Sequence, residues 1–305
     1  MSDDVINQLT LDEARAFLSN VLEMTSPESK LQSDPESFLN ELIVAWLHHI
    51  PFQTIKEISV PHHERHLPSI PEIKSDMFSR LGGVCYDHSV FCYLLLKTLG
   101  FCVSLTPCDV SYTDSHAISI VHNLTKEGSR HIVDVGTGYP TFRAIPMDFE
   151  QVSPEYTDSF LRYRYIYEGD LIIRQHHVDT DPRAALWPDR VKDGWYYFIY
   201  IHHKTQVSIP YFDVAMTRIY KELLPSPPYL SSPRCMAWPN KQFVCIKDTT
   251  LLLETVPGTV KKSYLKSRDD ILAEFSKYFP QVPLDSVGVA LRDENVKLDF
   301  TKGQN

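Results

Sequence analysis

The chain can be laid out around the stretch Arg80-Leu81-Gly82-Gly83-Val84-Cys85-Tyr86-Asp87-His88-Ser89-Val90-Phe91-Cys92. Two glycines run into a cysteine, and an apolar helical pattern follows as far as Gly100. A thiol in the first turn of a helix faces unpaired backbone N–H groups and the positive end of the helix dipole. That setting favours the thiolate, the nucleophilic form of cysteine. Paired glycines let the backbone turn sharply and leave room for an acyl group beside the sulfur. Cys85 reads as a nucleophile; a small buried apolar residue after a turn is the plainer alternative.

A nucleophilic cysteine needs a base, and the base needs an orienting partner. Downstream, His116-Ala117-Ile118-Ser119-Ile120-Val121 reads as a strand, Lys126-Glu127-Gly128 as a turn, and His131-Ile132-Val133-Asp134-Val135 as the returning strand. Residues at matching levels on paired strands lie side by side, which brings Asp134 to His116. Asp134 would then hold one imidazole nitrogen and leave the other for Cys85. A lone histidine or aspartate in a strand is usually structural. The combination with Gly-Gly-Val-Cys and with the turn Gly136-Thr137-Gly138 favours a site.

Outward from this centre, residues 10–24 read as an amphipathic helix opened by a Thr10/Glu13 capping box, and Asp34-Pro35-Glu36 starts a second helix ending near Ile50-Pro51. Residues 60–72, with three prolines and His62, His63 and His66, read as a loop; no carboxylate or cysteine joins the histidines at ligand spacing. Phe101–Leu105, Tyr163–Tyr167, Leu171–His176 and Trp195–His202 read as strands of an antiparallel sheet or small barrel. Residues 212–224 read as a short helix, Gln242–Ile246 and Thr250–Glu254 as strands, and a last helix follows Ser267.

The 305 residues suffice for two or three units, and 43% hydrophobic with 23% charged residues is an ordinary globular balance. A net charge of −9 with no dominant basic patch excludes a nucleic-acid footprint. The chain lacks a basic start followed by an apolar segment and any apolar run of about 18 residues, so the expectation is a cytoplasmic protein away from membranes. Six cysteines without a CxxC pair indicate neither a zinc ribbon nor a disulfide framework.

Taken together, the motifs resemble the arylamine N-acetyltransferase family. Its Arg-Gly-Gly-x-Cys segment and the Leu-Gly-Phe after the helix appear as Leu81-Gly82-Gly83-Val84-Cys85 and Leu99-Gly100-Phe101; its histidine after Thr or Ser appears as Ser115-His116. Its Val-Asp-Val-Gly-Phe-Gly appears as Val133-Asp134-Val135-Gly136-Thr137-Gly138, and its Pro-Phe-Glu-Asn as Pro51-Phe52-Gln53-Thr54. The resemblance covers roughly residues 10–290 and is strong over 45–140. It implies an α+β fold with a cysteine-proteinase-like core: an N-terminal helical bundle (1–100), a central antiparallel β-barrel (101–205) and a C-terminal α/β lid (206–305). It also implies acetyl transfer from acetyl-CoA to an arylamine, hydrazine or related amine through a Cys85 thioester, with Cys85, His116 and Asp134 as catalytic residues and no metal. Contacts to CoA are implied at Tyr220, Ser226, Gly136 and Gly138, and contacts to the acceptor at Ser115, Phe52 and Thr137.

Four departures stand out: Leu81 for the arginine, Gln53-Thr54 for Glu-Asn, Thr137 for the phenylalanine, and Ser89 where an asparagine is common. The first two remove charge, as expected if a buried arginine–glutamate pair was neutralised at both ends. Thr137 removes an aromatic ring near the acceptor. A cysteine hydrolase or transglutaminase-like enzyme and a non-catalytic binding protein are the alternatives. Papain-like proteases separate cysteine and histidine by more than about 100 residues, against 31 here.

Overall fold

A computed structural model describes residues 8–302. The N-terminal part is helical: α1 (Leu11–Ala16), a π-helical turn (Phe17–Val21), α2 (Pro27–Ser33), α3 (Pro35–His49), α4 (Ile55–Ser59), α5 (Ile70–Phe78) and α6 (Cys85–Thr98). The Thr10/Glu13 capping box is present, and Asp34 caps α3 by accepting from Ser37 N–H at 3.0 Å. Residues 60–72 are not loop throughout. Pro71 lies in the first turn of α5, where its missing N–H costs nothing, and Ser69 with Glu72 forms a capping box. Phe17, Trp46 and Phe91 meet with ring centroids 4.7–5.9 Å apart, so the π-helical turn, α3 and α6 share one apolar core.

The sheet expected after α6 is antiparallel and curls into a half-barrel. Its strands are β2 (Cys102–Asp109), β3 (His116–His122), β4 (Arg130–Val133), β5 (Ile145–Pro146), β6 (Tyr156–Asp158), β7 (Leu161–Glu168), β8 (Leu171–His177), β9 (Val191–Lys192) and β10 (Trp195–Ile201). Their spatial order is β5-β4-β3-β2-β10-β8-β7-β6, with β9 on β10. Alternation along β7 buries Leu161, Tyr163 and Tyr165 and leaves Arg162 and Arg164 partly exposed, which is the period of a strand with one covered face.

After α7 (Asp213–Lys221) comes a second antiparallel sheet. The strand β1 (Phe52–Gln53) of the helical region pairs with β11 (Arg234–Ala237), which continues into β12 (Val244–Lys247), β13 (Thr250–Val256) and β14 (Thr259–Tyr264). Ile55 and Ile58 of α4 pack into the core beneath this sheet with Ile271 and Phe275 of α8 (Arg268–Tyr278) and Val287 of α9 (Leu284–Ala290). Arg65 ties the same region to the C-terminal end through Asp293, at 3.2 Å. The β1–β11 pairing holds Phe52-Gln53, which bridge to the Gly82-Gly83 turn, against the C-terminal sheet. Gln53 N–H donates to Gly83 O at 2.9 Å and completes that clamp.

Candidate active site

Cys85 is the first residue of α6, 4% exposed. Its turn is built by close approach. Gly82 has φ +71°, and a Cβ there would lie 1.9 Å from the carbonyl oxygen of Pro51. A Cβ on Gly83 would lie 2.5 Å from Oδ2 of Asp87. Pro51 is fixed in turn: Trp46 Nε1 donates to His88 Nδ1 at 2.9 Å, and His88 Nε2 donates to Pro51 O at 3.2 Å. Burial drives the His88 pKa down to about 4, partly offset by its backbone bonds, so the ring stays neutral.

His116 opens β3 and is 2% exposed; its Nε2 lies 3.2 Å from both carboxylate oxygens of Asp134. The β3–β4 register pairs Ser119 with Val133 and Ile120 with Ile132, and Asp134 follows the last paired residue. His116 and Asp134 therefore meet diagonally, two positions off direct opposition, and not at matching levels. Gly136 N–H donates to Asp134 Oδ1 at 3.1 Å and fixes the carboxylate. The imidazole shares the cavity with the Cys85 side chain, which acts on the ring's pKa. Burial works against the charged ring, but the Asp134 carboxylate and Cys85 more than reverse it, and the His116 pKa rises to about 10. An imidazolium thus stands beside the sulfur at neutral pH.

Two features fasten α6 to the half-barrel at this point. Ser89 Oγ donates to Ala117 O at 2.6 Å, and a Cβ on Gly136 would press within 2.8 Å of Cys85 O and 2.9 Å of Ser89 Oγ. A serine at position 89 thus links nucleophile helix and base strand directly.

A small, partly open cavity of about 30 Å³ adjoins the sulfur. Cys85, His116, Ser115 and Thr137 line it, all singled out by the sequence. Tyr112, Phe198, Ile219, Pro227 and Tyr229 also line it and were not. They come from a loop, from β10, from α7 and from the proline-rich segment, elements without a shared local pattern. Ser115 is held inward: its Oγ accepts from the N–H groups of Val110 and Ser111 at 3.1 and 3.2 Å, and its carbonyl faces Cys85 Sγ at 3.9 Å. Phe52 lies against His88 and Tyr229, with ring centroids 6.2 and 5.9 Å away, and Gly138 (φ +68°) packs on it. Ser226 precedes the cavity residue Pro227. Tyr220 follows the cavity residue Ile219, is 3% exposed and donates to Asp87 Oδ2 at 2.7 Å.

Of the charge departures, Gln53 is fully buried with Oε1 on Lys56 N–H at 3.0 Å, while its Nε2 is without a partner; Leu81 packs against the core of Ile55 and Ile58. Arg80 points elsewhere, to Glu23 at 2.7 Å. Gln53→Glu should destabilise by about 3–5 kcal/mol, the cost of a buried charge lacking its partner. Leu81→Arg added to it should restore at least half of that loss in urea unfolding. Simple additivity of the two changes would count against the neutralised-pair account.

A cysteine at a helix start and a histidine held by a buried carboxylate thus meet beside one cavity. Residues 37–286 match the family model described as N-acetyltransferase. The chain belongs to this family, the arylamine N-acetyltransferases. No curated protein sequence matches it. Among solved structures it is similar to the arylamine N-acetyltransferase of Mycobacterium marinum in complex with CoA, at 15% identity and TM-score 0.71 over 92% of this chain and 99% of that one. The Nocardia farcinica enzyme gives 18% identity and TM-score 0.72 over 96% and 99%. Arylamine N-acetyltransferase C of Bacillus anthracis gives 15% and 0.64 over 87% and 97%. At these identities the structures speak for the fold. Among the described residues no helix is long and apolar enough to cross a membrane, and no group of three or more His, Cys, Asp or Glu could hold a metal ion.

Proposed function

We propose that the chain moves an acetyl group from acetyl-CoA to an aromatic amine or hydrazine by a ping-pong route. The observation that carries this is Cys85 at the start of α6, lining one cavity with a His116 that Asp134 holds. In the first half-reaction Cys85 Sγ attacks the thioester carbonyl. The backbone N–H groups near Cys85 are the candidates to hold the oxyanion. The bond from carbonyl carbon to the CoA sulfur breaks, and His116 gives its proton to that leaving sulfur. In the second, the amine nitrogen attacks the acetyl-Cys85 carbonyl, neutral His116 takes the proton from nitrogen, and Cys85 leaves as thiolate. Asp134 keeps Nε2 protonated throughout.

The rings of Tyr112, Phe198 and Tyr229 favour a flat organic acceptor over water, although Thr137 supplies no ring of its own. Gly136 serves the site by admitting the Cys85 backbone. Ser226 and Gly138 remain proposals as CoA contacts, and Ser115, Phe52 and Thr137 as acceptor contacts, whereas Tyr220, buried with its hydroxyl on Asp87, is read instead through that bond. Steady-state rates with acetyl-CoA and an aniline or hydrazine, both varied, test the route. Parallel double-reciprocal lines are expected; intersecting lines would refute a thioester intermediate that forms before the amine binds.

A further inference from the structure

Asp87, two residues beyond the nucleophile, has no part in the mechanism above, yet it is 1% exposed and sits directly over Gly83. Its Oδ2 accepts two bonds: Val84 N–H at 2.9 Å and Tyr220 OH at 2.7 Å. Val84 is the residue before Cys85, so this oxygen grips the turn that carries the thiol. Tyr220 belongs to α7, and its neighbour Ile219 forms cavity wall. The other part of α7 is clasped as well: Ala215 O accepts from the hydroxyl of Tyr112, itself a wall residue, at 2.9 Å. One carboxylate oxygen therefore joins the nucleophile's turn to the helix closing the cavity over it.

We propose that Asp87 and Tyr220 are positioning residues for Cys85, fixing the sulfur against His116 and the cavity wall against the sulfur. The proposal rests on the reading of Cys85 as the nucleophile. The surroundings of Asp87 fit this role. Its Oδ1 has no hydrogen-bond partner, nor has Oε2 of the buried Glu57. Lys56, paired with Asp76, supplies the positive charge acting on both carboxyls. Burial raises the pKa of Glu57, and the Asp87 charge raises it further. With so few donors available, the Tyr220 hydroxyl is the main side-chain anchor of the Asp87 carboxylate.

The test is alkylation of Cys85 by iodoacetamide, read at Cys85 by peptide mass because Cys102 is exposed and reacts as well. This reagent needs no acyl-donor site, so the result stands apart from whether acetyl-CoA reacts at all. Tyr220→Phe should slow Cys85 alkylation about 10- to 100-fold, the scale of a misplaced reacting group, and should lower the acylation rate while leaving KM for acetyl-CoA unchanged. Asp87→Asn keeps the accepting oxygen and removes only the charge; it should retain the alkylation rate within about threefold, whereas Asp87→Ala should lose at least as much as Tyr220→Phe. Wild-type alkylation in Tyr220→Phe with a raised KM for acetyl-CoA would overturn the proposal and make Tyr220 a donor contact. An Asp87→Asn protein as slow as Asp87→Ala would also overturn it. Tyr220→Phe removes one hydroxyl from a folded core, so it decides the matter even where Asp87→Ala fails to fold.

Discussion

Asp134→Asn lowers the rate of Cys85 acylation by about 10³- to 10⁴-fold while the fold is retained. The reason lies in which nitrogen carries the proton. His116 Nε2 stands 3.2 Å from both Asp134 oxygens and donates to them. An asparagine amide in that place donates to Nε2, which moves the imidazole proton to the nitrogen facing Cys85. That nitrogen then cannot take a proton from sulfur or from the attacking amine. The same change acts on stability. The His116 pKa is raised from 6.5 to about 10 in the folded protein. A raised pKa contributes stability fully present below pH 6.5 and lost as the pH climbs through 10. The melting-temperature gap between wild type and Asp134→Asn should be widest below the lower value and should narrow toward the upper. Rapid-quench acylation by intact mass, with circular dichroism as the fold control, reads both effects. Acylation within tenfold of wild type would remove Asp134 from the mechanism.

Gly82→Ala is the second large effect. Gly82 sits at φ +71°, which costs an alanine about 1–2 kcal/mol by itself. Its Cβ would also lie 1.9 Å from Pro51 O, a carbonyl pinned by His88, so the turn before Cys85 has to move. The expected loss is about 3–4 kcal/mol in urea unfolding, together with slower acylation of the displaced cysteine. Gly128→Ala is the control. Gly128 has φ +79° with nothing within 4 Å of its Cβ position, so it should show the conformational cost alone. Equal losses at the two sites would mean that the contact with Pro51 does not shape the nucleophile's turn.

Local signals carried far into this sequence. Thr10 with Glu13, and Asp34 before Pro35, mark helix starts, and the capping bonds form, the second from Ser37 N–H to Asp34. The hairpin that joins His116 to Asp134 follows from strand period and a glycine turn, although its register places the pair diagonally. The α5 helix was hidden because Pro71 reads as a breaker until Ser69 and Glu72 are recognised as its cap. The pairing of Phe52-Gln53 with Cys235-Met236 has no local signature, because the partners lie more than 180 residues apart and the strand is two residues long. The aromatic cavity wall was invisible for the same reason: Tyr112, Phe198 and Tyr229 converge only through the tertiary fold. Asp87 carries no signal of its own beside His88 and Ser89, and only its bonds to Val84 and Tyr220 give it a place near the chemistry.

The central claim is that Cys85 carries the acyl group. Incubation with acetyl-CoA and no amine, followed by intact mass, tests it most directly. The expected result is one added acetyl group in the wild-type protein and none in Cys85→Ser. A wild-type mass unchanged by acetyl-, propionyl- and malonyl-CoA, or an acetyl adduct that persists in Cys85→Ser, would contradict it.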